Sequence, residues 1–153
     1  MAFGVGDGES VVACSGNAVV AWSPKNAAQQ QRTFDIKHSS QVNALGWLAK
    51  GKALAVAGED RVVSIYSAEA KIVAIVPKAN LLPPSAPSVT SLVIQGNDVV
   101  YGCSDGSIKV AKLPDVKVVT LHDEPGKPIT GVAMTPHGRL IAARWALIHH
   151  RIV

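Results

Sequence analysis

His38, His122, His137, His149 and His150 are the imidazoles from which general acid–base or metal chemistry would start in this chain. Their partners would come from Asp60, Asp98, Asp105 and Asp123, or from the thiols Cys14 and Cys103. A catalytic centre needs such groups to converge. His38 precedes Asp60 by 22 residues, and a histidine held between strands can satisfy both ring nitrogens, so His38 is expected to be structural. His122 falls at the end of an apolar run and His137 in a turn, where exposure is expected. His149 and His150 are adjacent, and neighbours on a strand point to opposite faces, so they do not form a two-histidine metal site. Cys14 and Cys103 each lie inside an apolar run and add no zinc-ligand spacing.

No Gly-x-Ser-x-Gly elbow is present, and no glycine-rich loop is followed by Lys and Ser or Thr. The Gly4, Gly6 and Gly8 run has no strand before it. The chain is therefore expected to be no enzyme and to carry no cofactor or metal. Asp60 and Asp105 each stand six residues before a matching position, Tyr66 and Ala111, which are 45 apart. Each aspartate is expected to brace its own turn. Trp22, 44 residues before Tyr66, ends a matching run in which core packing is expected, as it is for Trp47. Trp145 lies where the pattern breaks, and exposure there would make an apolar patch.

These spacings belong to a repeating element. Residues 41–76 hold four short apolar runs, 42–47, 53–57, 61–67 and 71–76, parted by a few residues rich in Gly, Asp and Lys. Each run is too short for a free-standing helix and rich in β-branched residues, and such short links join antiparallel strands. A second such unit spans 88–94, 98–104, 107–113 and 116–122. Upstream, 11–15, 17–23 and 32–36 match a second, third and fourth strand; residues 2–5 are the candidate first. Downstream, 129–135 and 139–145 begin a fourth unit, and residues 146–153 leave no room for two further full strands. A four-strand unit recurring every 40–45 residues has the period of a propeller blade. The middle strands barely alternate, as expected when both sheet faces are covered.

The chain has 153 residues, 48% of them hydrophobic and 17% charged, enough for a real core. Two cysteines in apolar runs fit a reducing, cytoplasmic compartment better than a disulfide scaffold. Residues 79–97 lack charge but contain Pro83, Pro84 and Pro87, which argues against a membrane helix and for a surface connector. The net charge of +4 is spread thinly, so nucleic-acid binding is not expected, and an acidic protein surface is allowed.

From 11 to 145 the chain resembles WD40-repeat proteins. The resemblance rests on Gly58, Glu59 and Asp60 before 62–66, on Ser104, Asp105 and Gly106 before 108–110, and on 135–140. It implies an all-β fold of WD40-like propeller blades, about three and a half of them, at about 1–37, 38–78, 86–123 and 128–153, the last incomplete. In the family a His, an Asp and a Trp fasten each blade. The resemblance puts His38, Asp60, Asp105 and Trp22 at such positions, with Tyr66 in place of Trp in the second blade. The stretch 41–76 also resembles a repeat of the WD-repeat proteins that target the gamma-tubulin ring complex, which implies a role in microtubule organisation at the centrosome or spindle.

The function expected is a non-catalytic scaffold or adaptor that binds protein partners, with Lys50, Lys52, Lys78, Lys127 and Arg139 as a rim for acidic surfaces. The alternative is an enzyme or small-molecule binder with a pocket along the blade axis. An open arc of blades exposes apolar faces and strand edges, so self-association to close the ring is a further expectation.

Overall fold

A computed structural model describes residues 3–5, 11–22, 32–48, 53–67, 69–77, 82–144 and 148–151, and among these every regular element is a β-strand. The first sheet is β1 (Phe3–Val5), β2 (Val11–Ser15), β3 (Ala18–Trp22) and β4 (Arg32–Lys37). The second is β5 (Val42–Leu48), β6 (Ala53–Gly58), β7 (Val63–Ser67) and β8 (Ile72–Val76). The third is β9 (Val89–Gln95), β10 (Asp98–Cys103), β11 (Ser107–Lys112) and β12 (Lys117–Asp123). The fourth is β13 (Gly131–Met134), β14 (Arg139–Ala143) and β15 (Ile148–Arg151). Within each sheet the strands lie side by side in chain order and every pairing is antiparallel.

The sheets stack through their first strands: β5 packs on β1 and on β9, and β9 packs on β13. Chain order within a sheet is thus order from the inner end outward. Burial follows the same direction. In β6 and β10 every residue after the first is buried, whereas β12 is exposed or half-buried throughout and β8 begins with Ile72 and Val73 exposed. This is why the middle strands do not alternate: a neighbouring sheet covers each face.

Three apolar cores fill the three joints. Val12, Val19 and Ile36 meet Leu54, Val56 and Tyr66 between the first and second sheets. Val63, Ile65 and Val76 meet Val99, Tyr101 and Ala111 between the second and third. Val100, Ile108 and Val110 meet Ile129, Leu140 and Ala142 between the third and fourth. Leu54, Ile108 and Leu140 are fully buried, and each contributes roughly 1.5–3 kcal/mol relative to exposure.

The crossings between sheets are tied by hydrogen bonds that the sheets do not use internally. His38 N donates to Asn17 O at 2.8 Å and Val42 N to Gly16 O at 2.8 Å, seating the second sheet on the first. Asn43 Nδ2 reaches Val89 O at 2.9 Å, and Ile129 N reaches Cys103 O at 3.1 Å. The Thr90 hydroxyl lies between the carbonyls of Gly102 and Ile129.

Three details settle or correct the sequence reading. Residues 3–5 do form the first strand of the first sheet, through Phe3–Ala13, Gly4–Val12 and Val5–Val11 pairs. The fourth sheet does gain a third strand, because β15 pairs with β14 from Arg139–Arg151 to Ala142–Ile148. Arg61, read as the start of a strand, sits in the turn before β7 with φ of 69°. Trp145 lies outside the described residues, as does the run from Gly6 to Ser10.

Candidate functional site

The polar set predicted to fasten the second unit comes together at the joint between the first two sheets. Asp60 lies in the β6–β7 turn, Tyr66 near the end of β7, and His38 on the crossing from β4 to β5. His38 Nε2 is 2.6 Å from Asp60 Oδ2, and His38 Nδ1 is 2.9 Å from Tyr66 Oη. In the neutral imidazole, Nε2–H donates to the carboxylate, which can only accept, and Nδ1 accepts a hydrogen bond from the tyrosine hydroxyl. Ser39 Oγ adds a donor to Asp60 Oδ2 at 3.1 Å. His38 is 3% exposed, so both ring nitrogens need these partners.

The electrostatics favour fastening over reaction. Burial pushes the Asp60 carboxyl up, but the His38 hydrogen bond and charge, the Ser39 hydroxyl and the Val62 N–H together hold it below its ordinary value. Burial, helped by the Asp60 charge, pushes the Tyr66 phenol up. An activated nucleophile needs the opposite shift. Cys103 is likewise pushed up, first by burial, and both thiols are free and buried.

Asp105, the equivalent of Asp60, is exposed and stays local. Its Oδ1 accepts from Ser107 N at 2.9 Å and Ser107 Oγ at 2.6 Å, closing the β10–β11 turn. Trp22 pairs in register with Val11 at the end of β3, and its side chain is outside the described residues. Of the basic rim, Lys50, Lys52 and Lys78 also lie outside the described residues. Lys127 is exposed and pairs with Glu124 Oε1 at 2.6 Å; Arg139 is exposed at the start of β14. The structure therefore does not gather the two described rim cations with the His38 set.

Two features were not singled out by sequence. Glu124, on the β12–β13 crossing, pairs with Arg144 just after β14, with Lys127, and at 3.8 Å with His122 Nε2. His122 is consequently half-buried, not exposed as its place at a strand end suggested. The hydrogen bonds from Lys127 and Arg144 hold the Glu124 carboxyl below its ordinary value. This ion pair ties crossing to turn in the fourth sheet as His38–Asp60 does in the second, with other residue types. The second feature is a cavity of about 600 Å³ beside the His38 set, between Lys37, Arg61, Ile72, Ile75 and Leu82. Ile72 and Val73 on the outer strand there are 52% and 62% exposed, the most exposed large apolar side chains among the described residues. No sequence signal marks the cavity, because Ile72 looks like any strand residue.

Among the described residues no group of three or more His, Cys, Asp or Glu side chains is placed to hold a metal ion. No helix there is long and apolar enough to cross a membrane.

Residues 26–80 match the family model described as the anaphase-promoting complex subunit 4 WD40 domain, a span that holds β4 and the whole pinned second sheet. No curated protein matches the chain. The fold is similar to the crystal structure of the computationally designed Ika4 protein, with a TM-score of 0.76 and 19% identity, over 99% of this chain and 90% of that one. At that identity the likeness shows the fold alone.

Proposed function

We infer that this all-β stack of WD40-like propeller blades serves, as WD40 domains generally do, to bind protein partners. We propose that this chain is a non-catalytic scaffold whose second blade meets a protein partner at its outer flank. The observation that carries the reading is the cavity of about 600 Å³ there. Its apolar floor of Ile72, Ile75 and Leu82 lies between the cations of Lys37 and Arg61, while Asp60 is already engaged by His38 and Ser39. An aliphatic side chain flanked by carboxylates fits that lining, so the partner is an acidic protein surface with an apolar centre. The matched family model is named for a subunit of a complex, which supports a place in a larger assembly.

Two buried free thiols support a reducing, cytoplasmic location within the same proposal. Microtubule organisation has only the resemblance of 41–76 behind it; the family model that matches this stretch is a different one.

Proximity labelling in cells with the wild-type chain and with Ile72→Asp and Lys37→Glu variants tests the scaffold reading. A defined set of neighbours lost in both variants, with far-ultraviolet circular dichroism unchanged, supports it. An identical set in all three places the partner elsewhere. Turnover of a small substrate by the purified chain would replace the scaffold with an enzyme.

A further inference from the structure

The second and third blades differ at one position that bears on the cavity beside His38. Counting back from Tyr66 and Ala111, which hold the same place in their blades, Ser64 corresponds to Lys109. Lys109 pairs across the ladder with Tyr101, which is buried in the core between the second and third blades. Its stem therefore starts on the face turned to the second blade, where it is half-buried. Ser64 pairs with Val56, which is buried in the core between the first and second blades, and lines the cavity of about 600 Å³. One joint thus receives a four-carbon stem with an ammonium, and the other a short hydroxyl beside open space.

The cavity is graded from rim to floor. Lys37 and Ile72 on its lining are exposed and Arg61 is half-buried, whereas Ser64 and Tyr66 are 2% and 5% exposed. Ile72, Ile75 and Leu82 supply aliphatic walls. The floor offers hydrogen-bond acceptors. Tyr66 donates its hydroxyl hydrogen to His38 Nδ1, so only its lone pairs remain. The Ser64 hydroxyl makes no hydrogen bond among the described residues. The floor also feels a negative charge, because Asp60 lines the same cavity and adds to burial in pushing the Tyr66 phenol up. A carboxylate tip would be repelled there, and a bare alkyl tip would leave the Ser64 hydroxyl stranded. An ammonium answers both.

We propose that the cavity takes a lysine side chain of the partner, flanked in the partner's sequence by acidic residues. The stem lies along Ile72, Ile75 and Leu82, the ammonium reaches the Ser64 and Tyr66 oxygens, and the flanking carboxylates meet Lys37 and Arg61 at the rim. The partner supplies from outside the side-chain type that Lys109 supplies from within one blade later. This inference rests on the protein-interaction reading above and adds the identity of the inserted side chain.

The probe is a fluorescein-labelled acidic pentapeptide with a central lysine, titrated with the full chain by fluorescence polarisation. Its counterpart carries norleucine at the centre, which keeps the four-carbon stem and lacks the ammonium. The lysine peptide is expected to bind about tenfold tighter, and Ser64→Ala should narrow that ratio about threefold. The ratio compares two peptides on the same protein, so partial loss of fold in the variant does not change it. Ser64→Lys, which places a second copy of the Lys109 side chain at the cavity, should abolish binding of the lysine peptide with far-ultraviolet circular dichroism unchanged. Equal or tighter binding of the norleucine peptide overturns the proposal and leaves the scaffold reading standing with an apolar anchor. A ratio indifferent to Ser64→Ala, or undiminished binding to a folded Ser64→Lys chain, overturns it as well. So does absence of binding by either peptide; neighbours still lost on Ile72→Asp in proximity labelling would then keep the scaffold reading and remove the lysine site alone.

Discussion

The second and third blades carry the same four strands and the same turn before the third strand, but they close that turn with different residues. In both, an aspartate near the turn serves the backbone two residues on: Asp60 towards Val62 and Asp105 towards Ser107. The residue after each aspartate takes a left-handed conformation, Arg61 with φ of 69° in one and Gly106 with φ of 95° in the other. Only the second blade extends the aspartate inward, through His38 to Tyr66. In the third, Ala111 fills the Tyr66 position and is fully buried with no polar atom to satisfy. A blade of this kind can therefore be held by a buried polar set or by small residues packed tightly. The first solution tolerates a strained arginine, and the second needs a glycine.

That contrast makes Gly106 the sensitive position of the third-blade turn. A Cβ there would lie 2.1 Å from Glu124 O and 2.8 Å from Lys127 O, both backbone atoms that cannot swing away. Combined with the left-handed φ, Gly106→Ala is expected to destabilise the chain by about 3 kcal/mol or more, read from urea unfolding. A loss under about 1 kcal/mol would mean that the crossing to the fourth blade yields, and that small-residue packing does not hold the third.

The polar set of the second blade comes next. His38→Ala removes two hydrogen bonds and leaves Tyr66 Oη and Asp60 without their common partner, an expected cost of about 2 kcal/mol. Tyr66→Phe, which deletes one hydroxyl, should cost about 1 kcal/mol. If the three act as a unit, the double variant costs less than the sum of the two; simple additivity would show that the imidazole and phenol are independent.

Acid should separate the blades as well. The folded Asp60 carboxyl is held below its ordinary value of 3.8, so its contribution is complete above that pH and is lost as pH falls through the lowered value. Unfolding curves measured below pH 4 should lose stability faster in the wild type than in Asp60→Asn, in which that group no longer titrates. Parallel decline in the two would take the pH dependence away from this carboxylate.

Much of this arrangement is legible in the sequence because spacing survives where identity does not. Asp60 and Tyr66 stand out by period and the WD40 resemblance joins His38 to them, while the strands follow from runs too short and too β-branched for helices. What is hidden depends on neighbours. β1 is three residues long with glycine at its centre, and only its pairing with β2 makes it a strand. The Glu124–Arg144 pair reverses the residue types of the second blade, so a search for His and Asp passes over it.

Arg61 is hidden for a different reason, and it gives the smallest effect. Arginine at the head of a strand-like run reads as a strand residue, yet it shares the left-handed conformation that Gly106 adopts one repeat later. A non-glycine residue there costs roughly 1 kcal/mol, which Arg61 recovers only in part through an exposed hydrogen bond from Nη1 to Pro84 O at 3.0 Å. Glycine would remove the strain but widen the unfolded ensemble, which opposes the gain. The balance favours Arg61→Gly by about 0.5 kcal/mol, visible as a small rise in the urea midpoint at constant slope. Since Arg61 also lines the second-blade cavity, the same substitution should weaken partner capture there while raising stability. A variant both more stable and less adhesive would show that the strained arginine is kept for contact; one that is less stable would show that the turn, unlike its counterpart in the third blade, is held by its link to Pro84.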